Sequence, residues 1–467
     1  MKTLRQLTPS ESLFIGGETP SVYQHTAALV ELDARAVPGY SFATFKRHMQ
    51  THILRIPQFR WKLHEVPLGL DLPYWVEDRD FDPDWHIRRI ALPSPGDKKA
   101  LSELAAWLYS RHLDRSRPLW EIWFIEGLGE GRFAFLQKVH HCMMDGEGAN
   151  RLTAVMWDLE PDAGPREIDP AIANAAAGDV PEAWQQSLNT ALHLTRSSLR
   201  ITGEIYDTLR HQLTTYNPFT PPKHARAGAP ETCLNGDISG DRGLVFGSLP
   251  LADIKAIRRR YGVTVNDVLL AIVGGSMREY LLARGELPQQ ALRTSVAISL
   301  RTAADDKFSN RVTTTSVTLA TDLADPLERL RAISGESQRA KESAHHGSKS
   351  VLEYLQLFPP LAVKAMMYLA PAEQIARLMG VNLIVSNIHG SPRPMYVGGA
   401  RARAIYPVSI ISPGGGLNVT CMSYAGRVYF GLTIEPRLVA EPWKLMDGIR
   451  KALREYKALA GVGRRRS

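Results

Sequence analysis

Two short apolar runs joined by a glycine-rich segment constrain the fold of the amino-terminal half more than any other feature. The runs at 119–125 and 133–139 are bounded by turn residues, and the segment GLGEG at 127–131 lies between them. This pattern predicts a β-hairpin whose second strand leads directly into His140 and His141. Apolar spacing at 41–61 and 98–113 predicts amphipathic helices in the same half.

The carboxyl-terminal half alternates strands and helices in the same way. Strands are predicted at 243–251, 292–301, 311–320, 383–390, 417–426 and 427–436, and helices at 251–260, 266–284, 325–343 and 441–459. A Pro-, Ala-, Gly- and Asp-rich stretch at 161–181 breaks the periodicity, and residues 182–216 fit one long or two consecutive amphipathic helices. We therefore predict mixed α/β domains at 1–160 and 241–467, with a linker and helical connection at 161–240.

Composition restricts the compartment and the partners. The chain has 467 residues, 44% of them hydrophobic, and its three widely spaced cysteines do not suggest a disulfide framework, so we expect a reducing compartment such as the cytoplasm. No run reaches the roughly 18 apolar residues of a membrane span, so any membrane contact is expected to be peripheral. The net charge of +8 includes arginine clusters at 258–260 and 464–466, which fit solvated surface, an anionic membrane or a phosphate-bearing ligand. No nucleic-acid motif is present.

The segment HHCMMDG at 140–146 carries the most chemistry. Successive residues of a strand point to opposite faces, so we expect only one of the two histidines to face a given cavity. A neutral imidazole at that place can accept a hydroxyl proton and return it to a leaving group. The segment lacks the helical HExxH arrangement of a zinc site, so no metal is expected. Asp145 can fix the loop and Gly146 permits a sharp turn.

HHCMMDG resembles the signature of the HHxxxDG acyltransferases, and flanking motifs narrow the resemblance to bacterial wax ester synthase/diacylglycerol acyltransferases. The further matches lie upstream and downstream of it, in the order and spacing of that family. They are Pro118, Leu119 and Trp120 (the PLW motif), Asn266 and Asp267 (the ND motif), Ser386 and Asn387, and the segments at 310–312, 406–408 and 417–426. The resemblance covers nearly the whole chain. It implies two chloramphenicol-acetyltransferase-like domains with the active site in a tunnel between them.

By the same resemblance, the chain transfers a long-chain acyl group from acyl-CoA to diacylglycerol, or to a long-chain alcohol to form a wax ester. His141 is implied as the general base, with no covalent intermediate and no cofactor beyond acyl-CoA as a substrate. The predicted catalytic residues are His140, His141, Asp145 and Asn266. Gly146, Asp267, Pro118, Leu119, Trp120, Ser386 and Asn387 are predicted to bind substrate or to support the site. A peripheral location on the inner membrane face or on lipid inclusions follows from the lipid substrates.

Some alternatives stay open at this point. Asn266 could donate a hydrogen bond to a developing oxyanion, begin a helix, or do both. Cys142, next to the implied base, is expected to be a buried small hydrophobe on the opposite strand face. At 386–391 the chain has SNIHGS where the family usually has SNVPGP, so His389 replaces a proline in a segment that, by resemblance, borders the substrate tunnel and bears on acceptor preference. A non-catalytic binding protein of this fold, or a condensation enzyme that uses a carrier-protein thioester, would fit the same pattern.

Overall fold

The fold consists of two six-stranded mixed sheets covered by helices, in a computed structural model that describes residues 4–143, 156–163, 170, 174–215, 228–299, 312–345 and 355–462. The strands are β1 His25–Asp33, β2 Trp61–His64, β3 Tyr74–Glu77, β4 Ile87–Ala91, β5 Trp120–Glu126, β6 Arg132–His140, β7 Gly243–Pro250, β8 Arg293–Ser299, β9 Val312–Thr318, β10 Leu383–His389, β11 Tyr396–Val397, β12 Ala400–Val408, β13 Leu417–Tyr424 and β14 Arg427–Ile434. The helices are α1 Pro9–Gly16, α2 Phe42–Ile53, α3 Pro83–His86, α4 Lys98–Tyr109, α5 Ala183–Thr215, α6 Leu251–Tyr261, α7 Val265–Ala283, α8 Pro326–His345, α9 Pro360–Leu369, α10 Ala372–Met379 and α11 Trp443–Leu459. The predicted mixed α/β class is confirmed.

The first sheet has the strand order β11-β12-β1-β6-β5-β4. Its pairs are antiparallel except for β4 and β5, and β5 and β6 form the predicted hairpin. The second sheet has the order β7-β14-β13-β10-β8-β9, in which β10 runs parallel to both β13 and β8. A short ribbon of β2 and β3 completes the amino-terminal half. Each six-stranded sheet contributes to its own large buried apolar cluster.

Strand β12 is the unexpected part of the topology, because it comes from the carboxyl-terminal half and pairs with β1 in the first sheet. Ala28 lies opposite Pro407 in this antiparallel pair, with one irregularity between Glu31 and Leu32. The end of β12 also packs against β14 of the second sheet, where a side chain at Gly431 would collide with the carbonyl oxygen of Pro407. The predicted division at 1–160, 161–240 and 241–467 stays a prediction. The first sheet contains strands from both halves of the chain, whereas all six strands of the second sheet come from the carboxyl-terminal half.

Two predicted helices are shorter than expected. The helix predicted at 41–61 ends at Ile53, Pro57 opens a 3-10 turn, and Trp61 begins β2, so the prediction was wrong beyond residue 53. The proline lacks the amide hydrogen that a continuing helix would need. The helix predicted at 98–113 ends at Tyr109. The predicted helix at 182–216 is one helix, α5, over its described length.

Helix α7 lies at the centre of the second cluster, and its start is fixed by local hydrogen bonds. The Thr264 hydroxyl accepts from the Asp267 amide at 3.1 Å, and the Asp267 carboxylate accepts from the Thr264 amide at 2.9 Å. This reciprocal capping box satisfies two amides that have no partner within the helix. In the described part of the chain, no helix is both long and apolar enough to cross a membrane.

Candidate active site

The two histidines of the HHCMMDG segment lie where β6 ends. His140 is the last residue of the strand, and His141 begins a 3-10 turn that runs to Met143. The amide of His140 donates to the Leu119 carbonyl at 2.9 Å, and the amide of His141 donates to the Gln24 carbonyl at 2.8 Å. The expectation that both histidines lie on one strand was therefore wrong by one residue. Even so, their rings have different surroundings.

The ring of His140 is buried and hydrogen-bonded to the turn that follows it. Its Nδ1 accepts from the Cys142 amide at 3.2 Å and lies 3.0 Å from the Cys142 sulfur. An imidazole nitrogen that accepts from an amide carries no hydrogen, so the hydrogen of the neutral ring is on Nε2. Nε2 faces Glu18 Oε1 at 3.7 Å, a separation longer than a hydrogen bond but still favourable electrostatically. Burial lowers the pKa of His140, and the Glu18 charge opposes that shift.

Glu18 was not among the residues predicted from the sequence. It follows α1, is buried, and accepts two hydrogen bonds on Oε2 from Arg115, at 3.0 and 2.7 Å. His112 Nδ1 lies 3.3 Å from Oε1. Burial alone would raise the pKa of Glu18, but contacts with His112 and His140 and the Arg115 charge hold the pKa well below its ordinary range. Glu18 is therefore a buried carboxylate that stays charged beside the histidine pair.

His141 is partly buried, and its ring stacks on Phe14 of α1 with centroids 4.0 Å apart and an interplanar angle of 13°. Burial lowers the pKa of His141 to about 4, so its imidazole is neutral at physiological pH. Among the described residues, no hydrogen-bond partner reaches its Nδ1. Asp145 and Gly146, predicted to fix and to turn this loop, lie outside the described residues.

Cys142 is buried, as expected, but its position differs from the expectation. It belongs to the 3-10 turn rather than to the opposite face of a strand. Burial raises the pKa of its thiol well above the ordinary value, which keeps the sulfur protonated. A protonated, buried thiol is a poor nucleophile.

The predicted PLW residues lie directly behind the histidine strand. Leu119 is fully buried and its carbonyl accepts from His140, as described above, while Trp120 begins β5. Trp120 Nε1 donates to the Phe59 carbonyl at 2.8 Å, and the indole stacks on His86 with centroids 4.4 Å apart. These contacts are with the core, and the supporting function predicted for Pro118, Leu119 and Trp120 stays a prediction.

The ND motif lies at the start of α7, in the part of the chain that builds the second sheet. Asn266 is partly exposed, whereas Asp267 is buried and forms the capping box described above. Asp267 also accepts from the Ser334 hydroxyl at 3.2 Å, which joins α7 to α8. The helix start predicted for this motif is confirmed, and the carboxylate of Asp267 caps that helix. No hydrogen bond between Asn266 and His141 is present among the described residues.

The remaining predicted positions lie in the second sheet or on the surface. Ser386 and Asn387 are partly exposed residues of β10, opposite Thr420 and Cys421 of β13. His389, the departure from the family pattern, is exposed at the end of β10. The arginine cluster at 258–260 lies exposed on the last turn of α6, where positive charge interacts favourably with the helix dipole. The cluster at 464–466 lies outside the described residues.

Comparisons with known proteins agree over almost the full length. The sequence profile of the wax ester synthase/diacylglycerol acyltransferase catalytic domain matches residues 7–269, and that of the WS/DGAT C-terminal domain matches residues 308–457. Two putative diacylglycerol O-acyltransferases of Mycobacterium tuberculosis (strain ATCC 25618 / H37Rv) are similar to this chain. One is 30% identical over 97% of this chain and 90% of its own length. The other is 33% identical over 98% of this chain and 100% of its own length.

Solved structures share the fold of this chain. The wax ester synthase/diacylglycerol acyltransferase from Marinobacter aquaeolei VT8 is 28% identical, with a TM-score of 0.72 over 98% of this chain and 100% of that one. The first condensation domain of the CDA synthetase is similar in fold, with a TM-score of 0.55 at 15% identity over 98% of this chain and 96% of that one. The two-sheet architecture is therefore shared by both structures.

Proposed function

Because the chain belongs to the wax ester synthase/diacylglycerol acyltransferase family, we propose that it transfers a long-chain acyl group from acyl-CoA to diacylglycerol, and also to long-chain alcohols. Membership of this family identifies the chain as an acyltransferase. The observation that supports the mechanism is a neutral imidazole at His141, directly after β6, in a side chain that is only partly buried.

His141 acts as the general base in this proposal. Its neutral imidazole takes the proton of the acceptor hydroxyl while the hydroxyl oxygen attacks the thioester carbonyl carbon. The carbon–sulfur bond then breaks, and the imidazolium returns the proton to the CoA thiolate. The hydroxyl of the acceptor thus becomes an ester, free CoA is released, and the enzyme returns to its starting state.

No covalent acyl-enzyme is required. Cys142 is the nucleophile nearest to His141 in sequence, but its sulfur is buried and directed at His140. The raised pKa of this thiol keeps it from forming the thiolate that acyl transfer to cysteine would need.

Glu18 and His140 position His141 rather than react. With its hydrogen on Nε2, His140 can accept from the Cys142 amide on Nδ1, and this bond holds the turn on which His141 lies. The negative charge of Glu18 favours the ring form that carries hydrogen on Nε2. Asn266 remains the proposed donor to the oxyanion, because its side chain is at the start of α7 and partly exposed.

The experiment measures release of free CoA from palmitoyl-CoA with diacylglycerol, with hexadecanol and with neither acceptor. The native protein, His141→Ala and Cys142→Ala are compared after thermal melts have verified that each is folded. We expect acceptor-dependent release that falls at least about 100-fold in His141→Ala and changes less than about 3-fold in Cys142→Ala. Release that survives in His141→Ala, or that is lost equally in Cys142→Ala, would reject the mechanism.

We further propose that the enzyme meets its lipid substrates at a lipid surface through α5. The exposed side chains Trp184, Leu188, Leu192, Leu199 and Tyr206 fall within an arc of about 80° at about 100° per residue. The other side of the helix contacts the protein. There, Asn189 donates to the Tyr74 hydroxyl at 3.0 Å.

A stripe of exposed apolar residues with arginines beside it is typical of a helix that lies in a membrane interface. Arg196 is exposed on α5, about 40° from the edge of this stripe, and supplies attraction to anionic headgroups. Co-sedimentation with phosphatidylglycerol vesicles tests this proposal on the native protein and on a Leu188→Gln/Leu199→Gln variant. We expect the variant to lose vesicle binding but to keep its activity on detergent-dispersed acceptor. Equal vesicle binding by both proteins would reject it.

A further inference from the structure

A second group of histidines lies away from HHCMMDG, on α2. His48 and His52 are one helical turn apart, and both face Asp158. His48 Nδ1 lies 3.6 Å from Asp158 Oδ2, and His52 Nε2 lies 3.3 Å from Asp158 Oδ1. The exposed fractions of the three side chains are 7, 3 and 3%. This group is therefore almost fully removed from water.

The remaining ring nitrogens are committed to backbone carbonyls. His48 Nε2 bonds the Met156 carbonyl at 3.1 Å, and His52 Nδ1 bonds the His48 carbonyl at 2.8 Å. A carbonyl only accepts, so these two nitrogens carry the hydrogens of the rings. In the neutral rings, His48 Nδ1 and His52 Nε2 therefore carry no hydrogen. Each has a free lone pair, and each lies against the carboxylate of Asp158.

Three acceptor groups, two imidazoles and one carboxylate, that face one another in a buried place need a positive charge between them. Among the described residues, no lysine or arginine forms an ion pair with Asp158, and one donor, the Gly398 amide, reaches His48 Nδ1 at 3.0 Å. A buried carboxylate without a cation is costly. The occupant is either an extra proton on one of the rings or a metal ion.

The geometry points to a metal: we propose that His48, His52 and Asp158 bind a divalent transition-metal ion of the zinc type. Zinc bonds nitrogen and oxygen at about 2.0–2.2 Å, so tetrahedral ligand atoms lie roughly 3.3–3.6 Å apart. The two nitrogen–oxygen distances given above, 3.6 and 3.3 Å, fall in this range, and one ligand atom from each of the three residues lies within 4.8 Å of the other two. Histidine ligands also commonly donate their second nitrogen to a carbonyl, as both rings do. This triad is separate from the acyl-transfer site and departs from the expectation that the chain holds no metal.

Metal binding requires two local changes. The rings of His48 and His52 stack with centroids 4.0 Å apart and a tilt of 27°, so they must open slightly for their lone pairs to converge. The hydrogen bond from the Gly398 amide to His48 Nδ1 must also break. A water molecule bound as the fourth ligand could accept a hydrogen bond from that amide instead, in keeping with zinc sites that have three protein ligands and one water.

The site would join three parts of the chain that are distant in sequence. Asp158 pairs with Tyr396 of β11 through two backbone hydrogen bonds, at 3.0 and 2.9 Å. Gly398 lies between β11 and β12, which belong to the carboxyl-terminal half. An ion here would therefore stabilise the packing of β11 and β12 against α2.

The test uses the full chain after EDTA treatment and removal of the chelator. Zinc binding is measured by calorimetry and thermal melting for the native protein, His52→Gln and His193→Gln. His193 is the matched control because its Nδ1 lies 3.5 Å from a single buried carboxylate, Asp71, in a group that does not meet the geometry for metal ligation.

We expect one equivalent of zinc to bind the native protein and His193→Gln and to raise their melting temperatures by several degrees at about 100-fold excess over Kd. His52→Gln should lose both effects. If His52→Gln does not fold, visible absorption of the Co²⁺-substituted native protein decides, since a tetrahedral His-His-Asp site gives intense bands. Absence of stoichiometric binding, or equal binding by His52→Gln, would overturn the proposal and favour a shared proton. None of these measurements depends on acyltransferase activity.

Discussion

Replacing Glu18 by glutamine tests whether the residues behind His141 control its position. Glutamine has the same shape but is neutral, and its amide group can donate to His140 Nε2. A ring that accepts on Nε2 carries its hydrogen on Nδ1. In the native protein Nδ1 accepts a hydrogen bond from the Cys142 amide, and a hydrogen on Nδ1 would exclude that bond and repel the amide hydrogen. The turn that carries His141 would then lose its hydrogen bond to the strand.

The magnitude follows from burial and from the contacts that remain. Removing one partner of a buried ion pair costs about 3–5 kcal/mol. Arg115 keeps a second partner, Glu65 at 3.0 Å, and its side chain is 30% exposed, so we expect about 2–3 kcal/mol of lost unfolding free energy. The displaced turn should lower kcat by about 10- to 100-fold, equivalent to about 1.4–2.8 kcal/mol, with KM nearly unchanged.

The pH dependence has a defined sign. The pKa of Glu18 is lowered in the folded protein, so its contribution to stability is present above the ordinary value of 4.5 and is lost as the pH falls through the folded pKa. The difference in unfolding free energy between the native protein and Glu18→Gln should therefore be full at neutral pH and shrink below about pH 4.5.

The matched control is Glu65→Gln, which removes the exposed partner of the same arginine and leaves His140 untouched. Urea unfolding and CoA release are measured for both variants. We expect Glu65→Gln to change stability by less than about 1 kcal/mol and to keep native kcat. A Glu18→Gln enzyme with native kcat, or a Glu65→Gln enzyme with the same loss, would refute the positioning argument.

Three further predictions concern the close contact between the sheets, the base and the core. Gly431→Ala should destabilise the protein by about 1–3 kcal/mol in urea unfolding, because its methyl group meets the backbone of β12, whereas Gly203→Ala, in open space on α5, should stabilise it by about 0.5–1 kcal/mol. Equal changes in unfolding free energy for Gly431→Ala and Gly203→Ala would contradict the inference that Gly431 is needed for the close approach of β14 and β12. The pKa of about 4 for His141 should place the acidic limb of kcat/KM well below pH 6.5, and a limb at 6.5 or above would argue against this base. Trp120→Phe should lose about 1–2 kcal/mol of unfolding free energy with its indole hydrogen bond but keep the activity of the folded enzyme, and a large fall in kcat would instead place the indole at the substrate.

The local pattern of the chain predicts most elements but few of the contacts around the site. The hairpin before His140 and the capped start of α7 are both readable from short stretches, because turn residues and helix caps act over a few positions. Glu18 is different, since its partners Arg115 and His140 are 97 and 122 residues away. Its only sequence signal is a single acid in an apolar stretch, and that signal does not identify a partner.

The position of β12 could not be predicted for a related reason. Its residues alternate buried and exposed side chains at first, as an ordinary strand does, and nothing in 400–408 indicates which sheet it joins. The choice depends on the free edge of β1 and on the space that Gly431 leaves for the β12 backbone. Both conditions arise only when the chain has folded.

The pairing of β1 with β12 also has a consequence during protein synthesis. Ala28 and its partner Pro407 are separated by 379 positions, and at about 5–20 residues per second this length takes on the order of 20–75 s to translate. Throughout that interval β1 has an open edge, the kind of surface on which nascent chains pair wrongly and aggregate. We therefore expect the emerging amino-terminal half to depend on chaperones until the ribosome has nearly finished.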